Sequence, residues 1–313
     1  MRAAILHAHG AIPELGEFRD PEPAEGDEVV EIVAAGMNPV DIRIAGGQFA
    51  LERHEPPYVA GKEGVGRRED GSLVYFEYSR EPFGAFAERS LLAAGSGYPL
   101  PDGLDPALAV CLGVSGLAAW LSLEWRAGLQ QGETVVVLGA SGVVGQIGVQ
   151  AAQLLGAGRV IAAARSAEGL ERARRLGADA VVDLEASDDL AGALREAAGG
   201  RGYDVLLDPL WGEPLKAALG AAAPFARIVA LGQSAGAEAS LASAAIRSTP
   251  VDVRGYTNYT AGEERKAAAY ERLAQHAAAG EIAVEIERIG LDDVPGAWQR
   301  QGASPGRKLV VVP

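Results

Sequence analysis

Thr134-Val135-Val136-Val137-Leu138-Gly139-Ala140-Ser141-Gly142-Val143-Val144-Gly145 runs from a continuous apolar strand into a glycine-rich turn. The Ala- and Gln-rich stretch beyond it, to about Gly156, reads as a helix. Aligned with G-x-G-x-x-G, the frame falls on Ala140, Gly142 and Gly145, with alanine in the first place. In such a turn Gly142 lets the backbone approach a pyrophosphate, and Gly145 lets the helix pack on its strand. The N–H groups at the helix start then hold the anion. A glycine-rich turn can also be merely tight. Here a strand precedes it, a helix follows, and a second strand, Arg159-Val160-Ile161-Ala162-Ala163-Ala164, arrives at the expected distance. The context selects dinucleotide binding.

The end of that second strand reads Ala163-Ala164-Arg165-Ser166, with no carboxylate until Glu168. A carboxylate there would bond both ribose hydroxyls and repel a 2′-phosphate, whereas arginine pairs with the phosphate. The expected cofactor is therefore NADPH; the alternative is that Arg165 is a solvated charge at a helix start. Farther out come a helix from Leu170 to Leu176 closed by Gly177, and apolar strands at Val181-Val182, Asp204–Asp208 and Arg227–Gly232. A last strand is expected over Val251–Gly255. Apolar strands alternating with helices predict an α/β fold, a doubly wound parallel sheet covered on both faces. The acidic stretch from Asp183 to Asp189 reads as a solvated turn and helix start.

Before about Cys111 the texture differs. Short apolar runs such as Val29–Val33 are broken by Gly36-Met37-Asn38-Pro39 and Pro56-Pro57, which predicts an irregular, mainly β domain. At the other end, a helix near Pro295–Gln301 and a strand from Lys308 to Val312 are expected.

The 313 residues suit about two domains. Acids outnumber bases, 42 to 28, for a net charge of −14, which argues against nucleic acid or an anionic membrane as partner. The one cysteine, Cys111, excludes an internal disulfide and any zinc site of several thiolates, and is read as a small buried hydrophobe. No apolar run is expected to reach the ~18 to 20 residues of a spanning helix, and Gly10 and Pro13 come too early for a signal peptide. A cytoplasmic location is expected. His7, His9, His54 and His276 match no triad or metal spacing, so hydrolase chemistry has no support.

The chain resembles the medium-chain dehydrogenase/reductase superfamily, and within it the zinc-independent quinone oxidoreductase-like branch. The resemblance covers nearly the whole chain. It rests on Gly36-Met37-Asn38-Pro39-Val40-Asp41, Pro57-Tyr58-Val59-Ala60-Gly61-Lys62-Glu63-Gly64-Val65-Gly66 and Gly84-Ala85-Phe86-Ala87-Glu88. It continues through the turn at 139–145, Leu176-Gly177-Ala178-Asp179 and Gly306-Arg307-Lys308-Leu309-Val310-Val311-Val312. The resemblance implies a GroES-like, mainly β catalytic domain over 1–112 and 259–313, and a Rossmann dinucleotide-binding domain over 113–258. Zinc-dependent members carry Cys and His where this chain has Asn38 and Lys62, so no metal is expected. The segment from Arg67 to Pro82 is shorter than in the family and lacks its usual strand signal. Arg43 and Ala118 replace residues common there.

By the same resemblance, Asn38 lies near the nicotinamide as a hydrogen-bond donor, or is a turn residue before Pro39. Asp41 orients that loop. Lys62 is a candidate to stabilise negative charge on a carbonyl oxygen, or pairs with Glu63 or another acid. Cofactor contacts fall to Ala140, Ser141, Gly142, Val143, Val144, Gly145, Arg165, Ser166, Gly232 and Tyr256, the tyrosine either stacking in the site or packing. The implied activity is NADPH-dependent hydride transfer to a small quinone or α,β-unsaturated carbonyl by a homodimer. An enoyl-thioester reductase and a low-turnover NADPH-binding redox sensor are the alternatives.

Overall fold

A computed structural model describes residues 1–47, 49–186 and 189–313, so the Ser187-Asp188 part of the acidic stretch lies outside the described residues. The chain divides into two units. One comprises Met1–Val114, Tyr270–Gly280 and Val284–Pro313, and the other Ser115–Ala269 with Glu281–Ala283. The divisions expected from sequence, after residues 112 and 258, stand beside observed ones after 114 and 269.

The second unit is built on a six-stranded parallel sheet. Its order is Ala180–Asp183, Arg159–Ala164, Thr134–Leu138, Tyr203–Asp208, Ala222–Ala230, Val251–Gly255. The first strand in sequence lies inside and the order reverses beside it, which is the doubly wound Rossmann arrangement. Thr134–Leu138 is buried along its whole length, as a central strand with covered faces must be. Val136 pairs with Ile161 on one side and Leu206 on the other. These side chains join Leu138, Leu215, Leu219 and Ile228 in one core. Strand Ala222–Ala230 starts five residues before the expected Arg227. The register slips there, from Tyr203↔Ala222 to Val205↔Arg227. Pro224 and Phe225, the latter at φ +67°, form an irregular start that hides the strand from an apolar-run reading.

In the first unit a seven-stranded mixed sheet centres on Asp27–Gly36, flanked by Glu63–Arg67, Arg89–Ala93 and Lys308–Val311. A three-stranded antiparallel sheet orders Glu14–Glu17, Arg2–Leu6 and Tyr58–Val59. Lys308–Val311 pairs antiparallel with the central strand, Val310 opposite Gly36, and parallel with Ile286–Ile289. The C-terminal segment thus completes the sheet begun by the N-terminal one. The shortened segment does hold a strand, Leu73–Phe76, paired with Glu63–Arg67.

One expectation is corrected. Pro106–Ala127 is helical, 22 residues long, and apolar enough by length and composition to cross a membrane. Of its most apolar window, 78% is buried inside the protein, so its hydrophobicity serves a core. Glycine and serine at 113, 115 and 116 break the run in the eye, and Gly113 breaks the helix too, with ψ −107°. A Cβ at Gly113 would lie 2.0 Å from the Tyr75 hydroxyl, so only glycine fits.

Candidate functional site

The glycine-rich turn has the geometry that an anion needs. Gly139 adopts φ +61° and turns the chain off the strand, and Ala140 N–H donates to Ala163 O at 3.0 Å. Helix Val143–Leu154 begins after Gly142 with no side chain capping its first N–H groups, so these remain for a ligand. The two glycines differ. A Cβ on Gly145 would lie 2.4 Å from Gly139 O and 2.5 Å from Ala140 Cα, both backbone. On Gly142 it would make an ordinary 3.4 Å contact. Gly145 is required by helix–strand packing, whereas Gly142 matters only for something approaching from outside.

Around this turn the other expected cofactor residues divide. Arg165 is exposed, with its guanidinium 3.9 Å from Glu185. Ser166 caps helix Ala167–Arg175 by accepting from Gly169 N–H at 3.2 Å. Ser141 packs where a Cβ on Gly169 would fall and accepts at its carbonyl from Gln146. Gly232 follows strand Ala222–Ala230 with its backbone against Pro209 O. Tyr256 is buried. Its hydroxyl donates to Asn258 Oδ1 at 2.9 Å and its ring meets Trp125 edge-on. The turn and its uncapped N–H groups fit a dinucleotide, with Arg165 exposed at the end of the second strand, while the Tyr256 hydroxyl and ring make contacts within the protein.

In the first unit, helix Pro39–Ala45 places Asp41 at its third position, wholly inside. One carboxyl oxygen accepts from Asn38 N–H at 2.7 Å, the other from Lys62 N–H at 2.9 Å. Asp41 thereby ties the two motif loops together. Burial pushes its pKa up to about 7, against the pull of those N–H groups.

Asn38 faces a different cluster. Its Nδ2 donates to Gly36 O at 3.1 Å and Glu63 Oε1 at 2.7 Å, while its Oδ1 accepts from Lys308 Nζ at 2.6 Å. Both amide hydrogens are committed within the protein. Glu63 also accepts from Lys308 Nζ, the Tyr75 hydroxyl and Val114 N–H at 2.7 to 2.8 Å. The partner of Glu63 is therefore Lys308 rather than Lys62.

Lys62 lines a cavity of ≈ 240 Å³ with Asp41, Glu52, His54, Glu77 and the rings of Tyr58, Tyr78, Phe83 and Trp298. Its Nζ lies 2.5 Å from Glu52 Oε2, 3.7 Å from Glu77 Oε1 and 3.9 Å from the centre of the Tyr78 ring. Sequence reasoning missed Glu52, His54 and Glu77. They fall in no motif, and only the folded chain gathers them, bringing Glu52 and His54 to the same cavity as the loop after strand Leu73–Phe76.

A catalytic zinc does not fit these residues. The thiolate and imidazole it needs are replaced by Asn38, saturated by its neighbours, and by the ammonium of Lys62. Cys111 is buried, bonded through Sγ to Ala107 O at 3.1 Å, with its pKa raised by burial to about 12.

Residues 143–275 match a family described as zinc-binding dehydrogenase. The chain is 30% identical over 303 residues to a phenolphthiocerol/phthiocerol polyketide synthase polypeptide of Mycobacterium tuberculosis, covering 92% of this chain. It spans 14% of the length of that relative. To quinone oxidoreductase-like protein 2 of Bos taurus it is 32% identical over 250 residues, covering 76% of this chain and 70% of that one. The solved quinone oxidoreductase of Thermus thermophilus, whose study includes its complex with NADPH, is 29% identical, with a TM-score of 0.80 over 100% of both chains. Fold, glycine turn and relatives agree: the chain belongs to the quinone oxidoreductase-like branch of the medium-chain dehydrogenase/reductase superfamily of oxidoreductases.

Proposed function

We propose that the chain is an NADPH-dependent, zinc-independent reductase that passes hydride to small quinones or α,β-unsaturated carbonyls, working in the cytoplasm as a homodimer. The observation that carries the cofactor choice is the exposed Arg165 at the end of strand Arg159–Ala164, where a carboxylate would select NADH. The uncapped N–H groups of Val143, Val144 and Gly145 hold the pyrophosphate, and Arg165 pairs with the 2′-phosphate. When bound, the dinucleotide supplies the hydride from its nicotinamide ring. Lys62 stabilises the oxyanion of an enone as the hydride arrives, from a cavity lined by aromatic rings and carboxylates. A quinone needs less help, since its reduced ring is aromatic. Asp41 acts on the backbone that carries Asn38 and Lys62, and is structural.

The test is nucleotide oxidation by the purified protein with a small quinone and with an enone, bound cofactor being followed by fluorescence. Turnover with a strong NADPH preference is expected. Failure to bind either nucleotide would overturn the reading at its root.

The match to a polyketide synthase over 92% of this chain favours a second reading, reduction of an enoyl thioester. An enoyl thioester reduced much faster than the free enone would select it. Tight NADPH binding without turnover on any acceptor would instead indicate a redox sensor.

A further inference from the structure

Lys62 is the inner end of a hydrogen-bonded chain that reaches solvent. Its Nζ donates to Glu52 Oε2 at 2.5 Å. The other oxygen of that carboxyl lies 3.0 Å from His54 Nε2. His54 Nδ1 lies 2.8 Å from Glu81 Oε1, whose side chain is 63% exposed. Along the series, side-chain exposure rises from 2% at Lys62 through 12% and 23% to that value. Four titratable groups at consecutive hydrogen-bonding distances, running from the floor of a cavity to water, form a path along which a proton can move.

The geometry points to a proton relay, Glu81–His54–Glu52–Lys62, that returns to Lys62 the proton it gives to the reduced substrate. This rests on the proposed reductase activity and assigns roles to three residues outside every motif of the chain. Hydride from the reduced nicotinamide dinucleotide adds to the β-carbon of an enone, and the electron pair of the double bond moves onto oxygen. The Lys62 ammonium delivers one proton to that enolate oxygen and becomes an amine; the enol then tautomerises to the ketone. The His54 imidazolium yields its Nε2 proton across the Glu52 carboxyl to the amine; the neutral ring then turns over, so that its bare nitrogen faces Glu81, and the Glu81 carboxyl passes to it a proton taken from water. One hydride and one proton enter the substrate, and every protein group regains its starting state.

His54 is suited to the middle position. Its hydrogen bond to Glu52, then that to Glu81, holds its pKa above the ordinary histidine value against partial burial. The charged and titratable groups that face it and the cavity are Glu52, Glu81, Tyr58, Asp41, Lys62 and Glu77. Glu52, His54 and Glu81 act through Lys62 and are positioning and relay residues.

The experiment compares the protein with His54→Gln and Glu81→Gln, which keep hydrogen-bonding groups but cannot carry the proton. Steady-state enone reduction is measured from pH 6 to 9, with single-turnover hydride transfer alongside. The expected result for His54→Gln is a fall in kcat of about tenfold or more above pH 7, with KM for NADPH and the single-turnover rate retained. Free imidazole should restore turnover to His54→Gly. A readout independent of activity is the protonation midpoint of His54 by ring 15N NMR. Lys62→Met should raise it, because the positive charge on the far side of the Glu52 carboxyl is then gone. An unchanged kcat and pH profile in His54→Gln, or a His54 midpoint indifferent to Lys62→Met, would overturn the relay while the reductase stands. If the unmodified protein reduces no acceptor, the reductase reading falls and the relay with it.

Discussion

A single side chain, Lys62, carries the sharpest chemical consequence. An ammonium in a cavity beside two carboxylates matters in proportion to the charge that develops on the acceptor oxygen. Lys62→Met should therefore depress turnover on enones by tenfold or more and on quinones much less, as kcat/KM on both acceptors will show; equal losses would remove its catalytic role. Asp41, one helix away, gives a prediction in pH. Its folded pKa of about 7 lies above its ordinary value of 3.8 because burial penalises the carboxylate. Its contribution to stability is thus fully present below about pH 4 and is lost as pH rises through 7, on the order of 2–4 kcal/mol. Asp41→Asn, measured by chemical unfolding between pH 5 and 8, should flatten this slope. It should also lower stability at the acid end, since an amide cannot accept from both Asn38 N–H and Lys62 N–H. Parallel slopes in the two proteins would show that Asp41 does not titrate in that range.

The element that binds nucleotide separates packing from recognition through its two glycines. Gly145→Ala forces a methyl onto Gly139 O and Ala140 Cα, which cannot retreat without moving the strand or helix. A loss of about 1–3 kcal/mol in unfolding free energy is expected, with nucleotide binding lost as well. Gly142→Ala meets only an ordinary contact. It should leave thermal stability nearly unchanged while weakening NADPH binding at least tenfold in a fluorescence titration. Equal affinity would mean that no phosphate approaches Gly142. This element was legible in the sequence because it is local: strand, turn and helix are contiguous, and apolar runs and glycines mark their limits. The two motif loops at Asn38 and Lys62 were legible as loops for the same reason. What could not be read was pairing across the chain. Lys62 finds Glu52 rather than its neighbour Glu63, and Asn38 is claimed by Lys308, 270 residues away. His54 looked like an unpatterned histidine because its partners, Glu52 and Glu81, meet only when their loops fold together. The apolar segment Pro106–Ala127 was missed for a reason of composition, its glycines and serines dividing a run whose remaining side chains are buried.

At the scale of the whole molecule, one buried ion pair holds the C-terminal strand to the first unit. Lys308 and Glu63 lie 2.7 Å apart with side chains 1% and 0% exposed, and Glu63 gathers four donors in all. Removing one partner from such a pair leaves an uncompensated charge inside the protein, at a cost of about 3–5 kcal/mol. Lys308→Met should therefore destabilise the first unit strongly, though methionine matches the lysine stem in bulk. Replacing Glu63 by leucine as well should recover only part of the loss, because the Tyr75 hydroxyl and Val114 N–H would then lack an acceptor. The tryptophans allow the loss to be located. Trp298 belongs to the first unit and is buried in its core, whereas Trp120, Trp125 and Trp211 belong to the second. Denaturant unfolding of each protein, followed by fluorescence with and without Trp298→Phe, separates the two signals. In Lys308→Met the Trp298 signal should shift to lower denaturant, and saturating NADPH should still raise the midpoint of the other three. A Trp298 transition unmoved by Lys308→Met would mean that the pair is balanced by desolvation and that the sheet register alone holds the C-terminal strand in place.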